Sequence, residues 1–204
     1  MNPTQRILKG AQELFFRYGI KSITMDDIAK HLGISKKTIY QFFNDKNEVV
    51  HTLMQEKLKE DEKEFKCLQG EASNVVEEIF SFMKHMSTIF SQVNANAFYD
   101  MQKYHPKSWQ LFREFKEKCV MQMVVDSLQK GIEQGLVRQD INTKILARLR
   151  MEELEMGFDP AVFPPDKFKV LDVQLALIEH FLYGVCTLKG HKLINKYKEI
   201  TEEE

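Results

Sequence analysis

Apolar residues recur at helical spacing from the first residues of the chain. Between residues 4 and 18 they follow the i, i+3, i+4 and i+7 pattern of one helix face. The set is Ile7, Leu8, Ala11, Leu14, Phe15 and Tyr18. Gly19 follows directly, at the position that favours a helix C-terminus. The pattern therefore predicts an amphipathic first helix that ends at this glycine.

Four further helix starts or stops lie within the next thirty or so residues. Thr24 opens a capping box and marks the start of a second helix. Gly33 can take the positive φ that ends this helix, and Ser35 stands where the N-cap of a third helix belongs. A fourth, long helix is predicted from Asp45 to about Cys67. The sequence thus predicts a compact head of three helices, followed by a long fourth one.

The third helix has an apolar side and a polar side. Ile39, Phe42 and Phe43 form the apolar side, while hydroxyl, amide and ammonium groups face outward. Such groups are donors for phosphates and base edges, on a helix of the width that a major groove admits. This arrangement is typical of a helix-turn-helix, which binds DNA. The predicted DNA-binding residues are Thr24, Ser35, Lys36, Lys37, Thr38, Tyr40, Gln41 and Lys46.

These residues have different predicted roles. Lys36, Lys37 and Gln41 are expected to face the groove, with Lys37 reading a guanine edge. The phosphate contacts are expected from Thr24, Thr38, Tyr40 and Lys46. For Tyr40 the alternative is packing against Phe43.

Residues 4–54 resemble the DNA-binding domain of the TetR family of bacterial transcriptional regulators. The matching residues are Ala11, Leu14, Phe15, Gly19, Thr24, Ile28, Ala29, Gly33, Ser35, Thr38, Ile39, Tyr40, Phe43 and Lys46. One departure is Lys37, where the family often carries a small residue, and it adds a cation to the recognition helix. The resemblance implies a regulator with a C-terminal domain that binds an effector.

The remainder of the chain is also helical in pattern. Interruptions fall at Gly70, Pro106, Gly135 and the loop Phe158–Asp166, and the last long helix is predicted from Phe168 to Leu188. The predicted fold class is all-α. We expect a three-helix helix-turn-helix DNA-binding domain in residues 1–46, and a helical effector-binding and dimerisation domain in residues 47–204.

Charge separates the two predicted parts. The chain has 29 Lys and Arg against 30 Asp and Glu, a net charge of −1. Residues 1–50 hold eight basic and five acidic residues, so the head carries +3 and the remainder −4. A basic head on a neutral chain fits specific DNA binding and excludes a globally basic, DNA-coating protein.

Large apolar residues are concentrated in the middle helices. Such residues usually form plain core, but they also line cavities between helices. Because the resemblance implies an effector pocket, we expect them to bind a mainly apolar, neutral or singly charged effector. The predicted ligand-binding residues are Phe80, Met83, Met86, Phe90, Phe98, Met101, Tyr104, Trp109, Phe112, Phe115 and Met123.

The last two long helices are the predicted dimer interface. A single head makes few base contacts, and proteins of this kind usually read two half-sites as a symmetric dimer. The apolar residues of the final helix exceed what one body needs to bury, and Gly184 permits close approach. They are Leu171, Leu175, Ile178, Leu182 and Val185. The alternative is that this helix is the central core helix of the body.

Other kinds of chemistry find little support in the sequence. Three widely spaced cysteines and six scattered histidines give neither a disulfide framework nor a metal site. No catalytic or cofactor-binding motif is present, so we predict neither an enzyme nor a bound cofactor. The sequence has no signal peptide and no long apolar run, so we expect a cytoplasmic location without membrane association.

The sequence predicts a DNA-binding regulator, and we expect a repressor that binds a palindromic operator as a dimer and is released by a mainly apolar effector. The alternative is a helical small-molecule-binding or enzymatic protein with an incidental helix-turn-helix. The exposed lysines, threonine and tyrosine of Ser35–Gln41 favour the regulator, because an incidental motif would not need them. A regulator that works through protein contacts rather than a ligand is also compatible with the sequence.

Overall fold

The computed structural model describes residues 2–91, 93–94 and 96–199, and its regular structure is helical, which confirms the all-α prediction. The helices are α1 (Pro3–Tyr18), α2 (Met25–Leu32), α3 (Lys36–Tyr40), α4 (Lys46–Glu71), α5 (Val75–Phe90), α6 (Asn96–Tyr104), α7 (Pro106–Phe115), α8 (Met121–Glu133), α9 (Thr143–Met156), α10 (Val170–Val185) and α11 (Leu188–Tyr197). A π-helical turn, Lys116–Val120, separates α7 from α8.

The described residues pack into two compact units. The first unit contains the described parts of Met1–Asp61 and Ser91–Glu114, and the second contains those of Glu62–Phe90 and Phe115–Glu204. Helices α6 and α7 therefore pack with the three-helix head. The predicted boundary between residues 46 and 47 divides the chain by function and not by compact packing, and it stays a prediction.

Local signals position the helices of the head. The hydroxyl of Thr24 accepts a hydrogen bond from the Asp27 backbone N–H, and the Asp27 carboxylate accepts one from the Thr24 backbone N–H. Gly33 ends α2 in the left-handed region, at φ 63°. Gly10 lets α1 and α2 approach closely, because a Cβ there would lie 2.6 Å from Cδ2 of Leu32. The head buries Ile7, Leu8, Ala11, Phe15, Ile28, Ala29, Ile39, Phe43, Val49 and Val50.

The C-terminal helices differ from the sequence prediction at one point. The predicted long helix to Leu188 ends at Val185, and a separate helix, α11, follows. At the break, the Arg138 N–H donates to the Val185 carbonyl and the Thr187 N–H donates to the Leu136 carbonyl, both at 2.9 Å. The backbone here pairs with a distant segment, and this pairing replaces further helical hydrogen bonds.

The core of the second unit is built from α5, α8, α9, α10 and α11. Its largest cluster of buried residues is Val75, Val76, Leu128, Leu136, Val137, Ala147, Ile178, Phe181, Leu182, Val185, Cys186 and Ile194. Phe65, Val120 and Met151 centre a second cluster. Among the described helices none is long and apolar enough to cross a membrane. The same residues contain no group of three or more His, Cys, Asp or Glu that could hold a metal ion.

Candidate nucleic-acid interface and ligand cavity

Helix α3, the predicted recognition helix, is short and is fixed at its start by Ser35. The Ser35 hydroxyl accepts a hydrogen bond from the Thr38 backbone N–H at 3.0 Å and lies 2.8 Å from the Thr38 hydroxyl. Ile39 is fully buried beneath the helix, which anchors it to the head. Ser35 is thus the N-cap that the sequence predicts, and it lies at the edge of the exposed face.

The outer face of α3 carries the polar residues that the sequence placed there. Lys36, Lys37, Tyr40 and Gln41 are exposed, and Thr38 is half-buried. The ammonium of Lys36 lies 5.9 Å from the centroid of the Tyr40 ring, which is a cation–π distance. The side chains of Lys37 and Gln41 complete a surface of hydrogen-bond donors.

Tyr40 and Phe42 are both more exposed than core residues. Tyr40 is 46% exposed, beside Lys36. Phe42, expected on the apolar side of the helix, is 38% exposed, whereas Phe43 is buried. The helix ends at Tyr40, so helical spacing no longer determines which side chains face inward after that residue.

Thr24 lies exposed at the N-terminus of α2. Its hydroxyl donates to the Asp27 carboxylate at 2.6 Å. The hydrogen bonds from Thr24 lower the pKa of the Asp27 carboxyl, which keeps this cap ionised. The hydroxyl is therefore already used as a cap, and the phosphate contact predicted for Thr24 stays a prediction.

Lys46 has a structural role that the sequence did not indicate. Its ammonium donates to the carbonyl oxygens of Ile20 at 2.9 Å, Ile23 at 2.8 Å and Lys21 at 3.4 Å. Burial lowers the pKa of this ammonium, and the charge of Asp100 opposes that effect. An ammonium has three N–H donors. A phosphate contact from Lys46 would therefore require at least one of these hydrogen bonds to break.

Asp100 joins α6 to the loop between α1 and α2, the same loop that Lys46 contacts. Its carboxylate accepts a hydrogen bond from the Lys21 backbone N–H at 2.8 Å. Gly19, at φ 82°, makes room for this contact, because a Cβ there would lie 3.2 Å from the carboxylate oxygen. The buried carboxylate thus holds the loop between α1 and α2.

His105 forms a second polar junction in the first unit. Its Nδ1 lies 2.8 Å from the side-chain oxygen of Asn47 at the start of α4. The amide oxygen can only accept, so the ring N–H donates. Burial lowers the pKa of His105, the charge of Lys46 lowers it further, and Asp100 raises it. Neither junction was predicted, because in sequence each is only an Asp or a His near apolar helix positions.

The second unit contains a cavity of about 90 Å³. Its walls come from α4, α5, α8, α9 and α10 and from the neighbouring segments. The apolar lining includes Phe65, Leu68, Ile79, Phe82, Met123, Val124, Met151, Leu154, Ile178, Phe181 and Leu182. Gln69, Glu78, Ser127 and Arg150 are the polar members of the lining. An apolar space with a few polar groups is the usual form of a ligand site.

The polar groups of the cavity are paired to different degrees. The Glu78 carboxylate accepts hydrogen bonds from Ser127, from Lys130 at 3.1 Å and from Gln69 at 3.3 Å. Arg150 donates to the Glu153 carboxylate at 3.5 Å, the upper limit of a hydrogen bond. Burial lowers the pKa of Arg150, although Glu153 opposes this.

The predicted ligand-binding residues do not converge on this cavity. Met123 lines it, while Met83, Met86 and Phe115 pack around the two buried clusters. The remaining members lie in three places. Phe80 stacks on Tyr197, and Phe90 packs against Phe158. The first unit contains the other five, Phe98, Met101, Tyr104, Trp109 and Phe112. Ligand binding by these residues stays a prediction, and the polar lining residues were missed.

The comparisons with known proteins agree with this geometry. Residues 7–53 match the family described as bacterial regulatory proteins, tetR family. A relative named uncharacterized HTH-type transcriptional regulator YvaF, from Bacillus subtilis (strain 168), is 24% identical over 183 residues, which cover 89% of this chain and 94% of that protein. The match to the family therefore covers α1 to α3 and the first part of α4, where the exposed polar face lies.

Solved structures share the fold over almost the whole chain. A TetR-family transcriptional regulator from Agrobacterium tumefaciens superposes with a TM-score of 0.70 at 17% identity, covering 90% of this chain and 97% of that one. The transcriptional regulator FadR from Bacillus subtilis, solved in complex with stearoyl-CoA, gives 0.62 at 18% identity, covering 89% and 98%. Residues 7–53 thus match the tetR family of bacterial regulatory proteins, and the chain as a whole shares its fold with these solved structures.

Proposed function

We propose that the protein is a transcriptional repressor that binds a palindromic operator as a homodimer and releases it when a mainly apolar effector occupies the cavity. The observation that carries the proposal is the exposed face of α3. Lys36 and Lys37 project from a helix whose opposite side is anchored by the fully buried Ile39, and the exposed Gln41 follows directly at its end. A rigid helix with an exposed row of donors is what base recognition in a major groove requires.

Dimerisation through α9 and α10 is supported by apolar surface that one protomer leaves uncovered. Ile145, Leu149 and Met156 are exposed on α9, at spacings that put them on one side of the helix. The predicted interface residues Ile178, Leu182 and Val185 are instead buried inside the protomer. The exposed side of α10 is formed by Asp172, Ala176, His180 and Gly184. We propose these two faces as the interface between protomers, while Leu171 and Leu175, which are half-buried, flank it.

Release by an effector is supported by the cavity and by α4. This helix carries Lys46 in its first turn and Phe65, Leu68 and Gln69 in the cavity wall. The cavity is smaller than the range of about 300–1,000 Å³ that is usual for ligand pockets, so a ligand must displace parts of the wall. A displaced wall moves α4 and with it the head. Two heads must match half-sites one turn, about 34–36 Å, apart, so such a movement lowers operator affinity. The FadR structure with stearoyl-CoA supports a lipophilic effector for this fold.

The experiment is selection of DNA from a random library, followed by mobility shift with the selected sequence and a thermal-shift screen of lipophilic compounds. We expect a palindromic sequence, and compounds that stabilise the protein to release it. The control is the double variant Lys36→Ala with Lys37→Ala, which should lose DNA binding and keep its thermal stability. Compounds that stabilise a protein without DNA affinity at modest salt would instead support the small-molecule-binding alternative.

A further inference from the structure

Arg150 places a guanidinium in the wall of a mainly apolar cavity. The residue lies on the inward side of α9, next to Met151 and one turn from Leu154. It is 7% exposed. A charge in such surroundings is costly unless it is paired and hydrogen-bonded. The anionic partner of this cation among the described residues is Glu153, whose carboxylate oxygen lies 3.5 Å from a guanidinium nitrogen.

The pairing of Arg150 within the protein is incomplete. Its single hydrogen bond among the described residues goes to Glu153 at 3.5 Å, whereas a guanidinium has five N–H donors. The other charged group of the wall, Glu78, is fully engaged by Ser127, Lys130 and Gln69. The two charges differ in this respect, because the carboxylate has its partners and the guanidinium has donors to spare.

We propose that Arg150 binds the carboxylate of a compact apolar acid that occupies the cavity as the effector. This inference rests on the proposed function, which makes the cavity the effector site. A planar guanidinium binds a carboxylate through two parallel hydrogen bonds, and such bonds are stronger in a dry site. The apolar body of the acid lies against Phe82, Met123 and Phe181, and its head lies at Arg150.

The cavity favours a small acid over a long acyl chain. Its volume is about 90 Å³, less than the engineered cavity of about 150 Å³ that holds benzene. Met123 and Met151 can change rotamer and enlarge the space, because their side chains are unbranched and flexible. A short-chain aliphatic acid or a simple aromatic acid therefore needs the smallest rearrangement of the wall.

Calorimetry on the full chain without DNA tests this inference with two matched pairs of probes, hexanoate against hexanamide and benzoate against benzamide. We expect each acid to bind about tenfold to a hundredfold more tightly than its amide, the ratio that a charged hydrogen bond supports. Arg150→Met combined with Glu153→Gln removes both charges and should abolish the ratio while keeping the amides bound. Arg148→Gln changes an exposed arginine of the same helix and should leave the ratio unchanged.

Each outcome has a separate meaning. Equal binding of acid and amide overturns the carboxylate inference and leaves the cavity as an effector site for neutral compounds. Loss of acid preference in Arg148→Gln as well would also overturn the role of Arg150. If neither acid nor amide binds the wild-type protein, both this inference and the proposed effector site fail. Thermal unfolding of each variant, compared with the wild type, verifies that the binding data come from folded protein.

Discussion

The ammonium of Lys46 donates a hydrogen bond to the carbonyl oxygen of Ile23 at 2.8 Å. Two residues far apart in sequence are thereby joined at the start of α4, and the carbonyls of Ile20 and Lys21 share the same donor group. The loop between α1 and α2 leads into Thr24, which begins α2. The position of the helix-turn-helix therefore depends on this lysine.

Replacing Lys46 by Met should destabilise the head. The variant keeps the length of the side chain but leaves the carbonyls of Ile20 and Ile23 without their donor. We expect a loss of about 1–3 kcal/mol in the free energy of unfolding, the usual range for unsatisfied buried groups. Urea denaturation of the full chain measures this loss, followed by tryptophan fluorescence or circular dichroism.

The same variant distinguishes the structural role from the phosphate contact predicted by sequence. If Lys46 served only as a phosphate contact, stability would be unchanged and the slope of log affinity against log salt would fall by about one. Lys36→Met is the matched control, because the Lys36 side chain is exposed and makes no hydrogen bond within the described residues. It should keep full stability and weaken DNA binding.

Lys37 should determine part of the operator sequence. It is exposed on α3, and the proposed contact is with a guanine edge. Lys37→Ala should relax the preference at one base pair of each half-site by about 1–3 kcal/mol, with little change at other positions. Repeating the library selection with the variant measures this preference. A uniform loss of affinity over all sequences would show that Lys37 contacts phosphate instead.

The head could be predicted from sequence because its signals are local. The capping box at Thr24, the left-handed Gly33 and the N-cap Ser35 act within three or four residues of themselves, so spacing alone identifies them. The role of Lys46 could not be identified in this way. Its partners lie more than twenty residues earlier and meet it only after α1, α2 and α4 have packed.

The cavity could not be predicted because its members come from several helices. Gln69, Glu78, Ser127 and Arg150 lie on four different helices and converge only in the folded unit. Helical periodicity identifies an apolar face such as that of Phe80, but it does not distinguish a residue that fills the core from one beside a cavity. The predicted end of the last long helix, at Leu188, was wrong for a similar reason, because the backbone after α10 pairs with residues 136–138.

His105 should make the stability of the protein depend on pH. Its folded-state pKa is lowered, chiefly by burial and then by Lys46, while Asp100 and Asp45 raise it. Below about pH 6.5 the unfolded chain takes up a proton that the folded chain resists, so stability falls on acidification. His105→Gln does not titrate and keeps an N–H for Asn47. The wild type should therefore lose more unfolding free energy than the variant between about pH 7.5 and about pH 5.5.

Urea denaturation at several pH values measures this difference. His31→Gln is the control, because His31 is an exposed histidine on α2 beside Glu13. It should leave the pH dependence caused by His105 in place. Parallel pH curves for the wild type and His105→Gln would contradict the assignment.

Filling the cavity should separate ligand response from DNA binding. Val124 lines the cavity on α8 and is half-buried. In Val124→Phe the ring occupies the space that a ligand would take. We expect at least about tenfold weaker binding of any effector, because the ligand loses the burial of roughly one apolar group. Operator affinity without effector should stay at the wild-type value. Unchanged effector affinity would show that the ligand binds elsewhere.

Leu149 should be required for dimerisation. It is 48% exposed at the centre of the apolar face of α9, with Ile145 one turn before it and Met156 two turns after it. Leu149→Glu would bury an unpaired carboxylate in the proposed interface, which is strongly unfavourable, so we expect the dimer to dissociate. Sedimentation at micromolar concentration should then show a 24.0 kDa species, and operator affinity should fall because two linked half-sites are no longer read together.

The control for this variant is Leu188→Glu. Leu188 is 80% exposed at the start of α11, outside both proposed faces, and the change should leave the dimer intact. The same chemical substitution is thus placed inside and outside the interface. Both variants should keep the thermal stability of the monomer, because exposed positions tolerate a carboxylate. A wild-type protein that sediments only at 24.0 kDa would rule out the dimer, and a dimer that survives Leu149→Glu would place the interface on another surface.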